Sequence, residues 1–515
     1  MAKVKEGWTS GMDLADVEIK SLRLENDHDK QENKEQRDKN LPTASKTWNA
    51  FVNVTSLHGI RYIFWERPLW ARIGWLLILL GFTCYFLFTA HRSVTKFLKR
   101  PINTVITQTY ENKIEFPAVT ICPLNLISKK KMYALDSDVN FYYYGLNDSF
   151  CSATAAVREG RPCGASMMCC CVSFLVFDGS SIVPNCTTQY AESLIAAQEI
   201  SGNYFDIGRY YQKYAQGLEE MLVPGFCLFD GDFLNPCGES DFIATPTDAG
   251  MCYTFNANPG EVKYTTIAGA GGGLYLLLDA QMDDQTIGRL SEGFSVIIHR
   301  QGESFLGWDG INVSPGTLAS ITLQQQRFKN LEEPYETKCK NKTLKFTQVY
   351  TKRACFLECL AENIVKSCQC HPLLYPEPSL RSCAKQDSGC LDAVTDNFES
   401  SSCDCPNPCY EIRYTTDVYL SRFPDVGSAT VVQSAGVPRS FEYMRENFVF
   451  LQIGYKILGY ELREQQVAFG IESLLGEIGG NMGLFLGCSL MTIFEFGDLL
   501  VALIYIRNMQ RGYQM

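Results

Sequence analysis

The stretch from Ile478 to Ile506 (IGGNMGLFLGCSLMTIFEFGDLLVALIYI) constrains this chain most, because it is long enough to cross a bilayer yet carries Glu495 and Asp498 within it. A span needs about 20 apolar residues. Each acid placed in hydrocarbon costs roughly 3 kcal/mol, whereas the fourteen Leu, Ile, Val and Phe side chains return roughly 0.5 kcal/mol each. Insertion therefore comes out near break-even. Acids kept under such a balance face protein or water, and their default reading is an ion pathway.

On a continuous helix at about 100° per residue, Gly476, Gly480, Gly483 and Gly487 share one face. Small residues at this spacing let membrane helices approach closely, so the face is expected to pack against another helix. Glu477 and Glu495 are eighteen residues apart, about five turns, which puts them on a second face with Asp498 nearby. That face is expected to look into a lumen. Pairing of the acids with Arg72 is the structural alternative.

A second hydrophobic block, Leu69 to Ala90, follows Arg61, Arg67 and Arg72 and reads as a first span that also serves as signal anchor. Residues 1–48 are densely charged and contain no apolar run of a cleavable signal peptide. Twenty of the 22 cysteines lie between Cys122 and Cys409, leaving Cys84 and Cys488 in the spans. Thiols at that density persist as disulfides only in an oxidising compartment. The sequons at Asn147, Asn185, Asn312 and Asn341 fall in the same interval. The large loop is therefore expected outside the cell, with both termini cytosolic and the chain in the plasma membrane. The expected division is 1–68 cytosolic, 69–92 first span, 93–463 ectodomain, 464–506 second span and 507–515 tail.

Within the ectodomain, residues 116–122, 251–257, 272–280 and 294–300 read as strands of one sheet. Residues 125–225 are more helical in pattern and contain aromatic runs at 141–144 and 174–177. Cys151, Cys163, Cys169, Cys170, Cys171 and Cys186 there can close three local bridges, in a pairing left open. Ten more cysteines lie between Cys339 and Cys409; Cys355 and Cys359 share one face of a probable helix, so a helix pair stapled by bridges is expected. Cys368-Gln-Cys370-His371 resembles half a zinc site, but an even, extracellular set favours bridges and no metal. The run Gly269–Gly273 is not followed by a helix or a GK[ST] sequence, so a tight turn is expected rather than a phosphate cradle. No nucleophile and base stand at an interpretable spacing, so neither an enzyme nor a cofactor is expected. The net charge of −11 argues against nucleic acid and suits a surface that gathers cations.

Several motifs in order carry a resemblance: Thr55-Ser-Leu-His58-Gly59, Phe116-Pro-Ala-Val-Thr-Ile-Cys122-Pro-Leu-Asn125, Cys252-Tyr-Thr-Phe-Asn256 and Leu475-Gly-Glu-Ile-Gly-Gly-Asn-Met-Gly-Leu-Phe-Leu-Gly-Cys-Ser489. Together with the cysteine ladder they resemble the epithelial sodium channel/degenerin family, over nearly the whole chain beyond residue 48. The resemblance implies a trimeric α+β membrane protein with two transmembrane helices flanking a disulfide-rich extracellular domain. That domain would have a β palm, a helical finger at about 125–225 and a thumb at about 345–400. His58-Gly59 would act in gating. Gly487, Cys488 and Ser489 would form the selectivity belt, where the last span breaks. Gly476 would sit where bulky side chains hold the pore open, Glu477 near the outer mouth, and Glu495 and Asp498 below the belt. The implied bridges are Cys122–Cys252, Cys227–Cys237, Cys339–Cys409, Cys355–Cys405, Cys359–Cys403, Cys368–Cys390 and Cys370–Cys383.

Departures from the acid-sensing members bear on the stimulus. Ile267 and Ala268 stand where those channels have a Lys, and the segment LYPEPSLRSC keeps Glu377 without an obvious second acid. The expectation is a sodium-selective, amiloride-sensitive channel gated by an extracellular neuropeptide, as homotrimer or heterotrimer in membrane lipid. Proton gating or constitutive opening is the alternative within the family. A two-span receptor or adhesion protein is the alternative outside it.

Overall fold

The computed structural model describes residues 43–134, 149–172, 186–286, 291–307 and 309–512. Ten helices matter below: α1 (Ala44–Val54), α2 (Ile60–Phe64), α3 (Leu69–Leu98), α4 (Cys163–Cys171), α5 (Thr188–Ser201), α6 (Ile207–Tyr214), α7 (Lys352–Cys368), α8 (Ser388–Asp396), α9 (Ile471–Leu486) and α10 (Leu490–Gly512). The chain divides into two units, Met1–Pro101 with Val467–Met515, and Ile102–Gln466.

In the first unit α3 is 30 residues long, about 45 Å at 1.5 Å per residue. Among the described residues it is the one helix long and apolar enough to cross a bilayer by itself; α9 and α10 qualify together, as a pair bent by 69°. The helix runs on past the predicted end at residue 92 to Leu98, and Lys96 there lies over the Phe469 ring at 4.3 Å. Tyr85 and Phe82 of α3 meet Phe485 of α9 with ring centroids 4.7 and 6.2 Å apart.

The bend corrects the continuous-helix geometry. Gly487 adopts φ +63°, the left-handed region that glycine tolerates, and its N–H donates to Gly483 O at 3.0 Å to close α9. Glu477 and Glu495 therefore stand on different helices, and five turns of one helix no longer relate them. Of the glycine stripe, a Cβ at Gly476 or Gly480 would meet no described atom within 4 Å, one at Gly483 would meet Cys488 O at 3.9 Å, and one at Gly487 would overlap the His58 ring, so the described chain leaves the Gly476–Gly480 part of that face uncovered.

The second unit holds two main sheets. The larger has the order β12 (Tyr410–Arg422), β11 (Thr317–Lys329), β13 (Phe448–Val467), β8 (Leu274–Asp279) and β4 (Leu222–Phe229), with β1 (Ile102–Tyr110) also on β13. The smaller runs β10 (Ile311–Val313), β9 (Phe294–His299), β3 (Ala118–Pro123), β6 (Gly250–Phe255) and β5 (Phe242–Thr247). The expectation of one sheet is thus corrected: Leu274–Asp279 pairs with β13 and β4, whereas the other three predicted strands pair with one another. The near-continuous apolar runs of β3, β6 and β8 reflect burial on both faces. Phe116, Phe255, Phe294 and Tyr455 fill the core they share. Gly273, entering β8, has φ +85° and lies so close to Ile453 O that a Cβ would overlap it, which accounts for the glycine-rich turn.

Ten disulfides tie this unit together. Cys122–Cys252 joins β3 to β6, Cys227–Cys237 ties β4 to the loop after it, and Cys339–Cys409, Cys355–Cys405, Cys359–Cys403, Cys368–Cys390 and Cys370–Cys383 form a ladder along α7. Both cysteines of the zinc-like Cys368-Gln-Cys370 are therefore bridged. The open pairing resolves as Cys151–Cys163, Cys169–Cys186 and the adjacent Cys170–Cys171. These bridges bury α4 completely and hold it against α5 and the Tyr210, Tyr211 and Tyr214 face of α6. The aromatic runs 141–144 and 174–177, and Asn147 and Asn185, lie outside the described residues. Asn312 and Asn341 are exposed.

Candidate functional site: the break in the terminal helix

The break between α9 and α10 is built by a segment more than 400 residues earlier. His58 N–H donates to Leu486 O at 3.1 Å, and His58 Nδ1–H donates to Gly487 O at 2.8 Å. Gly59, with φ +91°, starts α2 and turns the chain away. A side chain at Gly487 would overlap the His58 ring, so glycine here serves both the φ and the close approach. Below the break, Ser489 N–H donates to Thr492 Oγ1 at 3.0 Å and caps the start of α10. Thr492 Oγ1 in turn lies 2.5 Å from Ser56 Oγ.

Glu495 belongs to the same assembly. Its Oε2 accepts from Thr55 Oγ1 at 2.9 Å and from Ser56 N–H at 3.0 Å. One carboxylate thereby satisfies two donors of a non-helical segment. Thr55 and Ser56 were legible only as part of the Thr55-Ser-Leu-His58-Gly59 motif, which gave them no partner. Asp498 is exposed and has no hydrogen bond or ion pair among the described residues. Arg72 does not reach either acid; its Nε and Nη2 donate to Ile63 O and Phe64 O at 2.8 and 3.3 Å. Glu477 and Gly476 are exposed on α9, Ser489 is exposed at the break, and Cys488 is a buried free thiol. Phe51 of α1 packs on Phe496 of α10 at 4.9 Å. An apolar cavity of about 270 Å³ lies between Leu57, Leu79, Met482, Cys488 and Phe496.

In the second unit, two buried groups, Asp279 and His299, and the half-buried Glu303 escaped the sequence reading. The Glu303 carboxyl is pushed up from its ordinary range by burial first and by Glu411 beside it, against the Arg300 N–H that donates to it at 3.2 Å. Burial also raises Asp279, which accepts from Tyr443 OH at 3.1 Å. Burial pushes His299 down to about 4; its Nδ1–H donates to Arg300 O and its Nε2 accepts from Thr120 Oγ1 at 2.8 Å. Glu377 accepts from Ser379 Oγ, and Asp387 is held by both Nη atoms of Arg381 at 2.6 Å.

Residues 51–499 match the family described as amiloride-sensitive sodium channel. Acid-sensing ion channel 4-B of Danio rerio is 30% identical over 465 residues, covering 87% of this chain and 75% of that one. Acid-sensing ion channel 2 of Homo sapiens is 29% identical over 474 residues, covering 88% and 86%. A solved proton-activated chloride channel aligns over 83% of this chain with 7% identity and a TM-score of 0.31, too low to carry an argument about fold or function.

Proposed function

This chain belongs to the amiloride-sensitive sodium channel family, a family of ion channels and not of enzymes, and from that premise we propose that it forms a trimeric, sodium-selective, amiloride-sensitive channel of the plasma membrane. Its ectodomain would be extracellular and its two spans would be α3 and the bent pair α9–α10. One observation carries the reading: the apolar terminal helix breaks at Gly487–Cys488–Ser489, and His58 is docked on the carbonyl at the break. Broken helices at membrane depth are tolerated where the freed backbone is buried in protein or lines water. Two helices cannot enclose a path, so several copies must pool theirs. The uncovered Gly476–Gly480 part of the α9 stripe supplies a face for close approach of sister copies.

The stimulus proposed first is an extracellular neuropeptide. Its support is that the thumb acid Glu377 bonds a serine and Asp387 an arginine, so neither is part of a carboxylate pair among the described residues. The second reading is acid, favoured by the names of the relatives and by the raised Glu303 carboxyl. Voltage clamp of oocytes expressing the chain tests both. Amiloride-blocked inward sodium current on applying neuropeptide pools at constant pH supports the first reading. Current evoked by acid alone establishes the second, and no amiloride-sensitive current under any stimulus contradicts the channel itself.

A further inference from the structure

The charge of this protein is unevenly spread. Against a net charge of −11, the run from Lys338 to Arg353 (KCKNKTLKFTQVYTKR) contains six Lys or Arg and no Asp or Glu. All six of those side chains are exposed. The segment is irregular as far as Thr351, with Lys352 and Arg353 opening α7, yet it is held at many points. Cys339–Cys409 and Cys355–Cys405 bracket it, Lys340 N–H donates to Asn407 O at 2.9 Å, and Val349 N–H donates to Gly302 O at 3.2 Å. Tyr350 OH donates to Pro406 O at 2.6 Å, and the N–H groups of Lys345 and Phe346 donate to Glu358 Oε2 at 2.9 and 3.3 Å. The basic surface is therefore preformed, and a ligand need not supply the ordering entropy.

The same segment walls a cavity of about 800 Å³, together with Arg300 and Tyr410. The guanidinium of Arg300 stands 5.7 Å from the Tyr410 ring and makes no hydrogen bond or ion pair to any described carboxylate. Lys342 and Lys345 have partners in Asp404 and Glu362, but these pairs are solvent-exposed and worth only about 0–1 kcal/mol. Lys338 and Lys340 have no described partner. Lys338, Lys340, Lys342 and Lys345 place four exposed cations within eight residues of an irregular segment.

We propose that the segment Lys338–Arg353 is a docking surface for a sulfated polysaccharide outside the cell, seated on Lys338, Lys340, Lys342 and Lys345 with Arg300 at the cavity wall. The argument is charge complementarity: clustered exposed lysines on an otherwise acidic protein recognise a repeating polyanion. Leu344, Phe346 and Val349 also line the cavity, so an acidic peptide is the competing occupant, and the polyglutamate competition below decides between the two. The inference rests on the ectodomain being extracellular but not on the nature of the stimulus.

The test uses full-length protein in lipid nanodiscs on a surface of immobilised heparin. Wild type is expected to bind, with affinity falling at least tenfold between 50 and 300 mM NaCl. The variant Lys338→Gln, Lys340→Gln, Lys342→Gln should bind at least tenfold more weakly. It leaves the Asn341-x-Thr343 sequon intact, so carbohydrate on Asn341 does not confound it. The triple Lys→Arg variant should restore binding, and neutralising Lys366 and Lys385 elsewhere on the thumb should leave it unchanged. Unaltered thermal unfolding of the glutamine variant shows that binding, not folding, was lost. Equal binding of desulfated heparin, equal competition by polyglutamate, or full retention of binding in the glutamine variant would each overturn the proposal.

Discussion

His58 Nδ1 lies 2.8 Å from the carbonyl oxygen of Gly487, a residue 429 positions away, and this contact fixes the point at which the terminal helix breaks. Gly487 cannot carry a side chain without striking the His58 ring, and its φ of +63° would cost another residue about 1–2 kcal/mol. Gly487→Ala should therefore lower sodium current or relax sodium over potassium preference. His58→Ala, which removes one hydrogen bond worth about 1 kcal/mol, should do so less. In the His58→Ala background the added effect of Gly487→Ala should shrink, since the clash is gone. Reversal potentials and maximal currents of the wild type, the two single variants and the double variant form the cycle, and strict additivity would show the contact to be idle.

Glu495 and Asp498 should separate experimentally. Glu495 receives two hydrogen bonds from Thr55 and Ser56, whereas Asp498 receives none among the described residues. Glu495→Ala removes the acceptor that joins Thr55 and Ser56 to α10, and should reduce surface expression or assembly as well as current. Asp498→Asn should leave expression intact and change unitary conductance. Surface biotinylation alongside single-channel recording distinguishes the two; identical behaviour of both variants would contradict this division of roles.

Much of this was legible in the sequence and some was not, for identifiable reasons. Paired acids in an apolar run are costly wherever they occur, so Glu495 and Asp498 announced a site without any fold. The break at Gly487 was not visible from periodicity, because a helical stripe of glycines reads the same whether the helix continues or ends; only resemblance to the family pointed to it. The partners of Glu495 were hidden for another reason: Thr55 and Ser56 are remote in sequence, and hydroxyls carry no pattern. Short β-rich apolar stretches identified the strands, yet sheet membership depends on long-range pairing, so Leu274–Asp279 was placed with the wrong neighbours.

His299 predicts an acid-labile ectodomain. Its burial pushes it down to about 4, while an unfolded histidine takes its proton near 6.5. Between those values the unfolded chain binds a proton that the folded chain refuses, so stability is lost as pH falls through this window. The full loss is about 3 kcal/mol at 1.36 kcal/mol per pH unit. His299→Gln should flatten that part of the profile, measured as thermal unfolding at pH 7.4, 5.5 and 4.5. A profile as steep as wild type would contradict the assignment.

Glu303 predicts the opposite sign. Burial raises its carboxyl, so the stability associated with its protonated form is present below the ordinary glutamate value and is lost as pH rises through the elevated one. Glu303→Gln keeps an acceptor for the Arg300 N–H and removes the half-buried charge. It should be neutral or stabilising at pH 7.4, with the difference from wild type vanishing near pH 4. Destabilisation at pH 7.4 would show that the attraction of Arg300 and Arg353 outweighs the burial, and would contradict the assignment.

The central claim is that α10 lines an aqueous path shared by several copies. It is tested most directly by placing a cysteine at Asp498 in a Cys488→Ala background and applying a charged, water-soluble methanethiosulfonate reagent during voltage clamp. The account predicts rapid, irreversible block of the amiloride-sensitive current while channels are open, with slower block when amiloride occupies them. Current that is carried normally and never changes on prolonged exposure, with the introduced thiol unmodified, would contradict it.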